Sequence, residues 1–219
     1  MYANDRAQEY YQGEWRNQMR HGYGRCVYKG DGGMYYEGEW FDDKPHGQGR
    51  RIDGDGNYYE GTFFSGLVRG GGGGVKRVGG GNSVIVVNKG QRHHHRRRHR
   101  HNYTLTLQPE GRGKILRKDG GSYEGQWRKG KKDGKGIERS PKGITYEGDF
   151  KDDKMDGYGV YTIEGRYKYT GDFKNDDIEG RGRCEWENGK TYDGQWKANK
   201  MHGVGLFTWK DGKSYSGYR

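Results

Sequence analysis

The chain has 219 residues, with 41 Lys and Arg against 30 Asp and Glu, an apolar fraction of 28% and a mean hydropathy of −1.37. No apolar run approaches the ~20 residues that cross a bilayer as a helix, and the opening MYANDRAQEYYQGEW lacks the hydrophobic centre of a signal peptide. So few apolar residues would by themselves predict disorder, but 19 Tyr, 6 Trp and 44 Gly predict thin layers in which rings pack over glycines.

In chain order, the first recurring element is YQGEW at Tyr11, followed by YEGEW at Tyr36 and YEGTF at Tyr59. After an interruption come YEGQW at Tyr123, YEGDF at Tyr146, YTGDF at Tyr169, YDGQW at Tyr192 and YSGYR at Tyr215, each 23 residues after the last. Eleven residues after the leading Tyr stands a Gly-x-Gly pair, as at Gly134/Gly136 and Gly203/Gly205. In a strand, alternate residues share a face. That alternation sets Tyr11, Gly13 and Trp15 on one face, and likewise Tyr36, Gly38 and Trp40, or Tyr123, Gly125 and Trp127. The same holds for Tyr146, Gly148 and Phe150, for Tyr169, Gly171 and Phe173, and for Tyr192, Gly194 and Trp196. Each unit reads as a β-hairpin with one aromatic-glycine face, its two strands joined by polar turns such as KANKMH and KDGK. One hairpin is marginal in water, so hairpins must lie side by side. The expected fold is all-β, an elongated single array of antiparallel hairpins, about 75 Å long at ~4.8 Å per strand.

The pattern Y-x-G-x-W/F … H-G-x-G at this spacing closely resembles the MORN repeat, over residues 10–67 and 109–219. Three regions follow: repeats one to three in 1–67, a Gly/His/Arg-rich insert at 68–108, and repeats continuing through 109–219 to a truncated eighth.

Deleting the 41 residues 68–108 restores the phase, since Tyr59 and Tyr123 are 64 residues apart. The insert holds nine Lys/Arg, no acid, nine Gly and five of the chain's eight His, including QRHHHRRRHRH at 91–101. It reads as an irregular, disordered segment. A pyrimidine-rich stretch ending in CAG would encode its closing YTLTLQ, as in a translated intron. A genuine disordered loop and a metal- or nucleic-acid-binding element are the alternatives.

Without the insert the charges nearly balance, but residues 112–142 carry eleven Lys/Arg against four acids. Arg112, Lys114, Arg117, Lys118, Arg128, Lys129, Lys131, Lys132 and Lys135 therefore form a candidate patch for anionic lipid or an acidic protein partner. The competing reading is a solvated face whose lysines discourage edge aggregation. Nucleic acid fits less well, because the repeat aromatics are committed to packing and not to base stacking.

No catalytic constellation is present, and no cofactor or metal is expected. DGKS and NGKT end like phosphate loops, but Phe207 and Cys184 stand where the first glycine belongs. His21, His46 and His202 precede Gly-x-Gly where other repeats carry Asp or Glu, so the position is structural. Cys26 and Cys184 occupy one equivalent packing position, as thiols of a reducing compartment.

The resemblance implies a non-enzymatic scaffold linking protein partners at cytoskeletal, ciliary or cortical membrane structures, hence a cytoplasmic location associated with cytoskeleton or membrane. It also implies two alternatives: a phosphoinositide-binding module, and a fragment of a larger enzyme such as a lipid kinase. Open terminal strands suggest a homodimer through the sheet ends.

Overall fold

The computed structural model describes residues 9–28, 33–69, 84–86 and 103–218. Every regular element among them is a β-strand, and neighbouring strands pair antiparallel. The chain divides into two compact units, the first ending at Gly111 and the second starting at Arg112.

The first unit contains β1 (Glu9–Arg16), β2 (Met19–Tyr28), β3 (Met34–Phe41), β4 (Lys44–Ile52), β5 (Tyr58–Arg69), β6 (Val84–Val86) and most of β7 (Tyr103–Leu116). Its strand order is β1-β2-β3-β4-β5-β7, with β6 paired to β7. The second unit takes the end of β7 and continues through β8 (Ser122–Arg128), β9 (Lys131–Arg139), β10 (Ile144–Lys151), β11 (Lys154–Ile163) and β12 (Tyr167–Lys174). It finishes with β13 (Asp177–Trp186), β14 (Thr191–Lys197), β15 (Lys200–Thr208) and β16 (Ser214–Tyr218), each beside the last. Each unit is thus an open meander of consecutive hairpins.

The tight turns close in the type I′ geometry that suits the right-handed twist of paired strands. Both central residues have positive φ at Asp42/Asp43 (46° and 65°), Asp152/Asp153 (49° and 73°) and Asn175/Asp176 (50° and 76°). Asp and Asn tolerate that conformation best among non-glycine residues.

One face of each sheet carries the core. Tyr36, Tyr59, Tyr123 and Tyr169 are fully buried there, the rings of Tyr36, Tyr123 and Tyr169 lying over glycines. A Cβ added to Gly182 would stand 2.2 Å from the Tyr169 hydroxyl, and one added to Gly159 would stand 2.5 Å from Cε2 of Tyr146. Side chains larger than hydrogen have no room beneath the rings.

Two features depart from the simple alternating ladder. The register shifts between the Gly and the aromatic of β1, β3, β8, β10, β12 and β14, as between Gly148 and Phe150. The extra residues bulge from the second strand, where Asp156, Gly157 and Tyr158 stand opposite Asp149, and the side chain facing the bulge satisfies the backbone left over. Asp149 Oδ2 accepts the Tyr158 amide at 3.2 Å, and Glu14 Oε1 accepts that of Tyr23 at 2.9 Å. The second departure concerns 68–108. Within it the described residues are strand, at 68–69, 84–86 and 103–108. The His/Arg run at 91–101 lies outside the described residues.

Candidate functional site

The leading Tyr and Trp/Phe positions build one continuous motif in each unit. Tyr11, Tyr36, Tyr123, Tyr146 and Tyr169 each pack edge to face with their own repeat's Trp or Phe and with the next repeat's, while Tyr59 and Tyr192 pack with their own. In the first unit the contacts run Trp15–Tyr11–Trp40–Tyr36–Phe63–Tyr59, with centroids 4.9–5.2 Å apart and planes near perpendicular. In the second they run Trp127–Tyr123–Phe150–Tyr146–Phe173–Tyr169–Trp196–Tyr192. Edge-to-face pairs of this kind add about 0.5–1.5 kcal/mol each beyond their burial.

Hydrogen bonds fix the rings. Tyr146 donates its hydroxyl to the Asp149 carbonyl at 2.9 Å, and Tyr123 to that of Gln126 at 2.8 Å. Trp40, Trp127 and Trp196 donate their indole N–H to the carbonyls of Gly24, Gly113 and Gly182 in the preceding repeat, at 2.9–3.0 Å. Burial pushes the buried tyrosines' pKa values well above the ordinary phenol range. These rings are framework.

The nine cations of 112–142 are not gathered on one surface. Lys132 and Arg117 lie on the aromatic face, where both reach Glu138, at 2.7 and 2.8 Å. Lys132 also stacks its ammonium 4.8 Å from the Phe150 ring. Burial would raise the Glu138 carboxyl, but the hydrogen bonds and charges of Lys132 and Arg117 outweigh it and hold the pKa below the usual range.

Alternation sends Arg112, Lys114, Arg128, Lys131 and Lys135 to the opposite face. There Arg128 pairs with Asp133 at 2.7 Å, Lys131 with Asp152 at 2.9 Å, Lys135 with Asp149 at 2.8 Å and Lys114 with Glu124 at 3.8 Å. Lys118 and Lys129 sit in turns. The cluster that is dense in sequence is therefore split between two faces and largely matched by acids from neighbouring strands.

Among the described residues, no three His, Cys, Asp or Glu side chains are placed to hold a metal ion. The carbonyls of His21, His46 and His202 accept the hydroxyls of Tyr11, Tyr36 and Tyr192 at 3.4–3.5 Å, so the backbone serves where the side chain varies. Cys26 and Cys184 are buried, and burial pushes the Cys184 thiol up to about 12.

Sequence reasoning missed two recurring roles. One is the acceptor facing the bulge, filled by Glu39, Gln126, Asp172 and Gln195 in other repeats. The other is a clamp between repeats. Asp43, Asp153, Asp176 and Asn199 each accept, through a side-chain oxygen, the backbone N–H of Arg20, Lys132, Met155 and Ile178 respectively, at 2.7–2.8 Å. The recurrence of Asp or Asn seven residues after the leading Tyr was the available signal.

The MORN repeat family model matches residues 11–32, 36–58, 123–145, 146–164, 169–191 and 192–214. The two leading tyrosines outside those matches are Tyr59, before the interruption, and Tyr215. No curated protein matches the chain at a significant level. Among solved structures, the chain is similar to the SAS-4 (dCPAP) TCP domain of Drosophila melanogaster, solved in complex with a proline-rich motif of Ana2 (dSTIL). The identity is 11%, the TM-score 0.44, and the match covers 90% of this chain and 84% of that one. Six matched segments, together spanning more than half of the sequence and carried by the hairpins described above, show that the chain belongs to the MORN-repeat family.

Proposed function

We propose that the chain is a non-enzymatic scaffold that links partner proteins at a cytoskeletal, ciliary or cortical membrane structure in the cytoplasm. MORN repeats are in general non-catalytic binding modules. One observation carries the reading: the framework residues recur at fixed positions, while the face opposite the aromatic stack changes its chemistry from repeat to repeat. A rigid support with a variable exposed face suits the recognition of macromolecules. The anionic-membrane reading has less support, because the cations of 112–142 are divided between faces and matched by carboxylates.

The test is detergent extraction of cells expressing the tagged full chain, followed by cross-linking mass spectrometry of the insoluble fraction. Retention with cytoskeletal proteins cross-linked to this chain supports the scaffold. Complete extraction with no cross-linked protein sinks it.

A further inference from the structure

The face of the first unit opposite its aromatic stack is apolar in a way the fold does not require. Tyr10, Val27, Tyr35, Ile52 and Tyr58 are in direct register across β1 to β5 and form one row on that face. Tyr10 and Ile52 are 59% and 42% exposed. Toward the hairpin tips a second row holds Phe41 and Phe64, each more than half exposed, with His46 ringed between them at 6.2 and 6.4 Å and His21 5.1 Å from Phe41. The second unit builds the same sheet with hydroxyls and charges at those places. Ser122, Thr145, Thr162, Thr191 and Ser214 occupy the first row, and the ion pairs Arg128–Asp133 and Lys174–Asp156 the second. Rings are therefore not needed there for folding.

Between the two apolar rows of the first unit runs a ladder of alternating charge: Arg25, Glu37, Arg50 and Glu60, on β2, β3, β4 and β5. This order is self-complementary. A two-fold axis along the strands, midway between β3 and β4, sets β2 of one copy over β5 of the other and β3 over β4. Arg25 then faces Glu60 of the second copy, and Glu37 faces Arg50. The same operation lays Tyr35 over Ile52, Val27 over Tyr58, Phe41 over His46 and His21 over Phe64. Apolar rows meet apolar rows and every ladder charge meets its opposite, an isologous arrangement. Four strands at ~4.8 Å and seven residues at ~3.3 Å give a projected footprint of roughly 440 Å² per copy. The pair buries roughly 900 Å², the size of a weak, reversible interface.

We propose that this face of the first unit binds the same face of a second copy of the chain, forming a two-layer sheet sandwich that is distinct from any joining of sheet edges. In the free chain Arg50 already contacts Glu37, at 3.0 Å, so the test must separate bonds within a copy from bonds between copies.

The mass of the full chain in solution is measured by sedimentation equilibrium up to about 100 µM, for wild type, E37R, R50E, and an equal mixture of the two variants. Wild type is expected at twice 25.2 kDa. Each single variant places like charges across the axis and is expected to weaken the dimer at least about tenfold. The mixture restores opposite charges between copies while both internal Glu37–Arg50 contacts stay broken, so it is expected to return to the dimer. A monomeric wild type, single variants of wild-type mass, or a mixture that stays monomeric each overturn the proposal. Should either variant lose its native circular dichroism, Ile52→Lys, at an exposed position, replaces it. A monomer is then expected, and an unchanged dimer overturns the proposal.

Discussion

Asp153 holds Lys132, twenty-one residues earlier, by two bonds at once. Its amide donates to the Lys132 carbonyl at 3.0 Å, and its Oδ1 accepts the Lys132 amide at 2.8 Å. The turn of one repeat thus closes on the second strand of the repeat before it. Asp43 on Arg20, Asp176 on Met155 and Asn199 on Ile178 repeat the arrangement. Adjacent hairpins are fastened at their tips as well as along their edges.

Asp153→Ala removes the acceptor and places a Cβ residue without a side-chain hydrogen bond at φ 73°. The expected loss is about 1–3 kcal/mol. Asp153→Asn keeps both the oxygen and the tolerance for this conformation, and should lose less than half as much. Urea unfolding followed by tyrosine and tryptophan fluorescence gives both values, and equal losses would remove the clamp from the account.

Gly159 has no positive φ, so its need for glycine is purely steric, the flat Tyr146 ring standing 2.5 Å from where a Cβ would be. Gly159→Ala should cost about 1–3 kcal/mol through overpacking. Gly165→Ala, where nothing lies within 4 Å but φ is +68°, should cost only the conformational penalty of about 1 kcal/mol. Thermal unfolding of the pair separates the two causes. A ranking in the other order would mean the ring yields easily.

At Trp196 the ring and the N–H can be tested apart. Trp196→Phe keeps an edge against Tyr169 and Tyr192, as Phe150 and Phe173 do elsewhere, and loses only the bond to Gly182. A loss near 1 kcal/mol is expected, against about 3–5 kcal/mol for Trp196→Ala. Calorimetry of the three proteins checks both.

Glu138 has its pKa lowered in the folded chain because Lys132 and Arg117 outweigh its burial. A depressed carboxylate contributes stability that is fully present above its unfolded pKa of about 4.3, and that is lost as pH falls through the lower folded value. Denaturant midpoints should therefore fall below about pH 4.3, and Glu138→Gln should flatten that part of the profile. A variant with the wild-type acid slope would contradict this.

For the cations of 112–142, sedimentation with vesicles rich in anionic lipid compares wild type with a Lys129→Glu, Lys131→Glu double variant. Lys131 is already paired with Asp152, and the cluster spans two faces. Binding is expected to change by less than about twofold. A loss beyond tenfold would restore the patch as a lipid site.

The repeat was legible because it depends on local chemistry. A Tyr, a Gly and a Trp at alternate positions can share a face only in a strand, and a ring over that glycine excludes a helix. Eight such starts carried the hairpin assignment and the aromatic face, and the stacked rings from Tyr11 to Tyr59 and from Tyr123 to Tyr192 follow that phase. The bulge was not legible. Its cause is a glycine such as Gly22 at φ +60°, held against the Glu14 carboxylate, and that requires knowing which residues stand opposite.

The cationic cluster shows the same boundary. Sequence counted Arg117, Lys132 and Lys135 as neighbours, since all three fall within one short basic stretch. The strands then turn Lys132 and Arg117 inward to Glu138 and send Lys135 outward to Asp149. Sequence by itself determined the period, the hairpins and the committed rings, because those rest on residues a few places apart. Only tertiary structure decided which charges meet, which repeats are clamped and which face is left apolar. Those depend on register between strands some twenty residues apart, and a one-residue shift of register exchanges the two faces.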